Sequence, residues 1–145
     1  MSRRERIVET VHRIAEVHEK EAMLGLSRAE QARREANEVV EALAAENDAA
    51  EAELTGGGEL GAVERELLWA HRSWFRRELE HSEERLALTE AEVESAKARL
   101  TDRKRETRIR ERVMDHVQGE ARAERAGKAQ KELDDIVSTR APRGE

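Results

Sequence analysis

One glycine cluster, Thr55-Gly56-Gly57-Gly58, interrupts a chain that has no proline before Pro142. Helical runs lie on both sides of it, over 7–54 and over 60–137. A lone amphipathic helix cannot cover its own apolar face, so the two runs are expected to fold back on each other at the glycines. The expected fold is all-α: a long antiparallel two-helix coiled-coil hairpin with unequal arms and a Gly-rich turn over 55–59. Residues 1–137 then form a single coiled-coil domain, and 138–145 a disordered tail. A rod of this kind points away from a pocket enzyme and toward a linker, stalk or docking protein.

Composition agrees. Of the 145 residues 41% are charged, and Trp69, Trp74 and Phe75 are the only Phe, Trp or Tyr side chains. Such usage with helical periodicity is that of a long helix or coiled coil. A globular core of this length carries more aromatic and branched bulk. High charge also favours disorder. The net charge of only −6, the interspersed signs and the seven-residue repeats weigh against that. With no cysteine, disulfides and thiolate metal sites are excluded, which suits a reducing cytoplasm. The stretch Ser2-Arg3-Arg4-Glu5-Arg6 has no apolar core behind it, so neither a signal peptide nor a membrane span is expected.

In the first arm a stripe runs Ile7, Val11, Ile14, His18, Ala22, Leu26, Ala29, Ala32, Ala36, Val39, Leu43, Ala50, Leu54, nearly all in steps of three and four. Between Ala22 and Ala36 it is mostly alanine, which permits close approach but buries little area. Gly25 sits in the same stretch. In the second arm Leu79, Leu86, Val93, Leu100, Thr107, Met114 and Ala121 recur at seven-residue spacing, with Leu68, Phe75, Ser82, Thr89, Ala96, Arg103 and Arg110 as companions. That repeat specifies a left-handed coiled-coil seam. An upstream set, Leu60, Leu67 and Trp74, is offset and predicts that the seam shifts near Trp74.

A turn centred near Gly57 lays Leu43 near His71, Val39 near Phe75 and Ile7 near Thr107. Residues beyond Arg110 then have no partner within the chain, and a helical 110–137 projects by roughly 40 Å. This end, with Val113, Val117, Leu133, Ile136 and Val137, is expected to need a partner.

Trp69, Trp74, Phe75 and Leu79 form the most distinctive chemistry. Adjacent residues point about 100° apart on a helix, so Trp74 and Phe75 cannot both enter one seam. The cluster either packs against Val39 and Leu43 or anchors a protein partner. Arg103-Lys104-Arg105, with Arg108, Arg110 and Arg112, is basic, with Glu106 and Glu111 between. It reads as a solvated face or a site for an acidic protein. Nucleic acid is disfavoured by the acidic chain and by the lack of interleaved aromatics. Two E-x-x-H pairs, Glu9–His12 and Glu78–His81, have the spacing of di-iron ligands, but the hairpin keeps them apart. No nucleophile–base pair, P-loop or metal cluster is present, and no cofactor or small-molecule substrate is expected.

The layout resembles FliJ, the family of coiled-coil stalks of the flagellar and virulence type III export ATPases. Four features carry the resemblance: the unequal hairpin, Val11-x-x-Ile14-x-x-Val17-x-Glu19-Lys20-Glu21-Ala22, Trp69-x-x-x-x-Trp74-Phe75-x-x-x-Leu79, and Lys131-Glu132-Leu133-Asp134-Asp135-Ile136 followed by Arg140. Asp135 departs from the family's usual glutamate, and Val137 from a common alanine. The resemblance implies a non-enzymatic stalk that couples a hexameric export ATPase to the membrane export gate, with export chaperones as further partners. It implies a cytoplasmic protein, peripheral at the membrane through those partners. The gate would then be met by Val39, Leu43, Trp69, Trp74, Phe75 and Leu79. The ring would be met by Arg3, Arg4, Arg103, Arg105, Arg108, Arg110, Arg112, Val113, Val117, Leu133, Asp134 and Ile136. The rival readings are a generic coiled-coil scaffold and a nucleic-acid-binding helical arm.

Overall fold

The computed structural model describes residues 1–56 and 61–140. Two α-helices make up nearly all of it: α1, Arg3–Thr55, and α2, Ala62–Arg140. They pack against each other, and no strand occurs among the described residues. The fold is the expected all-α two-helix hairpin. Helix α2 continues to Arg140, so 138–140 are helical where a disordered tail is expected. Gly57, Gly58, Leu60 and 141–145 lie outside the described residues.

Three of the four helix ends have a local cause. At the start of α1, the Ser2 hydroxyl accepts from the Glu5 N–H and the Glu5 carboxylate accepts from the Ser2 N–H, both at 3.2 Å. This reciprocal capping box satisfies two donors that a helix start leaves open. At the start of α2 the Gly61 N–H donates to the Glu64 carboxylate at 3.0 Å. At the end of α1, the Gly56 N–H donates to the Ala52 carbonyl at 3.1 Å. A Cβ added at Gly56 would lie 2.9 Å from that carbonyl oxygen, so a side chain there requires the backbone to move.

The packing divides into two compact units: Met1–Glu21 with Thr101–Glu145, and Ala22–Leu100. The second of these, here the middle unit, buries Leu68, Phe75, Ser82, Val93 and Ala96. All five belong to the two seven-spaced rows expected of α2. Leu67 is 64% exposed and Trp74 47%, so the seam does not shift to the offset set. Leu68 and Phe75 already occupy the seam rows, and Leu67 and Trp74 form a separate surface row.

In the unit containing the termini, Ala15, Val117 and Glu5 are buried. Ile7 and Ile14, expected in the seam, are half exposed, and their neighbours Val8 and Ala15 lie closer in. The reason is periodic. Ala36, Ala29 and Ala22 extend backward by sevens to Ala15 and Val8, not to the bulkier isoleucines. The companion row of α1 runs Glu5, His12, Glu19, Leu26, and all four are at least partly covered.

The pairing also differs from the glycine-centred expectation. The Thr107 hydroxyl lies 3.3 Å from the Ala15 carbonyl, not near Ile7, a slip of roughly two turns. In the middle unit Arg72 pairs with Glu51 at 3.3 Å, and Val39 lies beside Ser82 and Arg85 instead of Phe75. Helix α2 begins only at Ala62, and 62–67 are all exposed, so its first turns are spent before packing begins. Residues beyond Arg110 therefore do have partners on α1, as far as Arg125. Glu120 pairs with Arg4 at 3.4 Å and Arg125 with Glu5 at 2.6 Å.

Candidate docking surfaces

In the middle unit the aromatic cluster is split by its own helix. Phe75 is 3% exposed and fills the seam, so it is removed from the expected gate-contact set. Burying a side chain of this size contributes about 2–3 kcal/mol. Trp74 stands against it edge to face, with ring centroids 6.0 Å apart, and His71 stacks on Trp74 at 6.4 Å. The His71 Nε2 atom is buried without a hydrogen-bond partner. Trp69 is 73% exposed. Leu43 and Leu79 are partly covered, and Val39 is half exposed. Of the expected aromatics Trp74 and Trp69 stay exposed, on different sides of α2: Trp74 on the row of Leu67 and Trp69 away from it, with Val39 elsewhere on the same unit. Large exposed apolar side chains on a charged helix are the usual material of a protein interface.

A shallow groove lies between the helices of the middle unit, lined by Ala32, Ala36, Val39, Ser82, Arg85 and Thr89. Alanine on α1 meets serine and threonine on α2, and none reaches far enough to fill the seam. The groove overlaps the end of the alanine run, at Ala32 and Ala36. The Thr89 hydroxyl donates to the Leu86 carbonyl of its own helix at 2.7 Å and offers nothing across.

In the unit containing the termini, polar groups cross the helix pair. The Glu5 carboxylate closes the capping box and also accepts from the Arg125 guanidinium at 2.6 Å. That guanidinium, helped by the Ser2 N–H, holds the Glu5 carboxyl below the usual carboxylate range. Arg103 approaches His18 at 3.4 Å and Glu106 at 3.2 Å. Of the expected ring contacts, Val117 is 5% exposed and belongs to the seam, which removes it from the candidate surface. Arg4 is engaged by Glu120. Arg3, Arg105, Arg108, Arg110 and Arg112 are exposed, and none forms an ion pair among the described residues. Val113, Leu133 and Ile136 are exposed, and Asp134 accepts from Gln130 of its own helix at 3.0 Å. Every residue from Arg122 to Arg140 is exposed.

The E-x-x-H spacing does not assemble ligands at Glu9 and His12. Glu9 turns to Arg13 at 2.6 Å and His12 to Glu16 at 2.9 Å. Among the described residues no three His, Asp or Glu side chains converge as a metal site. No helix there is long and apolar enough to cross a membrane.

Ser2, Glu5 and Arg125 are absent from the set expected from the sequence. Ser2-Arg3-Arg4-Glu5 is a capping-box signature and is readable as such. The Arg125 contact joins residues far apart in the chain, and no local spacing announces it.

Comparison with protein-family models, with curated proteins and with solved structures found no match.

Proposed function

We propose that the chain is a non-enzymatic coiled-coil stalk of a flagellar or related type III protein export system, coupling a hexameric export ATPase to the membrane export gate, as in the FliJ family it resembles. The observation that carries this reading is the end of α2. Past Arg125, its last residue bonded across to α1, the helix continues to Arg140 with Leu133, Ile136 and Val137 all exposed. An isolated helix segment of this length is marginal in water, and a partner that covers its apolar residues would stabilise it. The unpaired arginines supply salt-sensitive attraction to a carboxylate-lined partner. In the middle unit, exposed Trp69 and Trp74 are the side chains offered to the gate.

Truncation after Arg112 would remove Val117, Glu120 and Arg125, which pack on α1, so it does not isolate the tail. Truncation after Gly127 does. Hydrolysis by the purified export ATPase should be stimulated by the full chain and not by the truncated one, with helicity of the remainder retained. Equal stimulation by both would remove the α2 end from the ring contact. Trp69→Ala with Trp74→Ala should weaken capture by the isolated gate protein by tenfold or more, about 1.4 kcal/mol.

A further inference from the structure

Two rows of apolar residues are interleaved at the start of α1, and only one is used. Val8 and Ala15 face α2. Ile7 and Ile14, one residue earlier in each case, are about half exposed. Between them and the seam lies the row Arg4, Val11 and His18. On α2 the row next to the seam is Glu106, Val113 and Glu120, with Ile109 just outside it. The Arg4–Glu120 ion pair at 3.4 Å joins these two rows, so they lie on the same side of the helix pair. That side therefore gathers Ile7, Val11 and Ile14 from α1 with Ile109 and Val113 from α2. Ile109 and Val113 are exposed, and Val11 is partly covered. All five belong to the unit containing the termini.

The charges around this face say what covers it. Those within it are already engaged: Arg4 and Glu120 with each other, and Glu106 with Arg103. Farther from the seam the face is bordered by Arg3, Thr10 and Val17 on α1, and by Arg105, Arg112 and Gly119 on α2. Arg3, Arg105 and Arg112 are exposed, and none forms an ion pair among the described residues. The unpaired charges of this border are thus all positive. A second copy would bring the same three arginines against only two exposed carboxylates without an ion pair among the described residues, Glu21 and Asp102, which continue the Ile14 and Ile109 rows. Like charges oppose that pairing. The apolar strip lies in the angle between two helices and is narrow, which suits a third helix better than a flat lipid surface. From Ile7 to Ile14 it runs about 10 Å along α1.

We propose that this face docks an amphipathic helix of a protein partner, whose apolar stripe is flanked by aspartate and glutamate. Arg105, Arg112 and Val113 also stand among the expected ring contacts. The docking proposal rests only on the geometry and charge of this face, and it is independent of the coupling role.

The test uses the full chain and no ATPase. The probe is a fluorescently labelled synthetic helical peptide with a leucine stripe flanked by glutamates. A second peptide carries the same stripe flanked by lysines. Fluorescence anisotropy should show saturable binding of the glutamate peptide and binding at least about tenfold weaker for the lysine peptide. Ile14→Asp should abolish binding while the circular dichroism stays helical. Arg105→Glu with Arg112→Glu should weaken the glutamate peptide about tenfold and strengthen the lysine peptide. No binding of the glutamate peptide at the highest soluble concentration would overturn the proposal. So would equal binding of the two peptides, or binding that Ile14→Asp leaves intact. Two further results would assign the face to another occupant and overturn it as well. One is a dimer in sedimentation equilibrium that Ile14→Asp abolishes. The other is Ile14-dependent binding to phosphatidylserine-containing vesicles without binding of the peptide.

Discussion

The middle unit and the unit containing the termini are built from the same two helices, yet they are held by different chemistry. The middle unit buries Leu68, Phe75, Val93 and Ala96, and the Arg72–Glu51 ion pair crosses it. The other buries Ala15 and Val117, and carries Glu5–Arg125, Arg4–Glu120 and the Thr107–Ala15 bond across the pair. Apolar burial is non-directional and supplies most of the free energy. A charged or hydroxyl contact contributes little net stability but is lost when the geometry changes. The middle unit is therefore the stability reserve, and the terminal unit is fixed more in alignment than in depth.

The sharpest way to break this contrast is to truncate one buried side chain in each unit. Phe75→Ala should cost about 3–4 kcal/mol in denaturant unfolding. Val117→Ala should cost about 1–2 kcal/mol. Equal losses would mean that the terminal unit holds as much core as the middle one.

Next in size is a gain. Gly25 lies within α1 with nothing within 4 Å of an added Cβ. Gly25→Ala should raise stability by about 1 kcal/mol, read as a higher melting temperature. Gly56→Ala should go the other way, because its Cβ meets the Ala52 carbonyl oxygen at 2.9 Å.

A smaller effect should separate the units by pH. The Glu5 carboxyl is held below its ordinary value, chiefly by Arg125. The folded state thus favours the charged form, and this stabilisation is present above the ordinary glutamate value of about 4.3. It is lost as pH falls from there through the depressed value. Amide exchange in the first turns of α1 should quicken over that window, and Glu5→Gln should flatten the response. Exchange around Phe75 should not follow it.

The smallest expected change is at Trp69, the most exposed of the aromatics. Trp69→Ala should alter unfolding by less than about 0.5 kcal/mol. A larger loss would return the tryptophan to a packing role and weaken its case as a contact residue.

What is legible in the sequence follows the same contrast. The rows of α2 are readable from Leu68 to Leu100 because Leu68, Phe75, Leu79, Leu86, Val93 and Leu100 fall on two seven-spaced rows there. So is the exposure of at least one aromatic, since Trp74 and Phe75 are adjacent. The first turns of α1 mislead because Ile7 and Ile14 are more hydrophobic than Val8 and Ala15, and hydrophobicity alone selects the wrong row. The pairing misleads because a glycine cluster marks a turn without fixing where packing resumes after it. The loss of Val117 from the candidate surface follows from that slip. The salt bridges of the terminal unit join residues from far apart in the chain, and no spacing encodes them.

The Thr107 hydroxyl, also 3.0 Å from the Arg103 carbonyl of its own helix, has a consequence beyond its modest energy. A seam that repeats every seven residues is nearly a crystal in one dimension, and a periodic lattice carries no absolute address. Moving α2 by one repeat would bring Leu100 or Met114 opposite Ala15, and Arg110 or Glu124 into the buried place of Val117. Neither Leu100 nor Met114 has a hydroxyl to offer the Ala15 carbonyl, and Glu5 would face a residue other than Arg125. These few polar contacts, with the buried Val117, act as the serial number on an otherwise repetitive ruler.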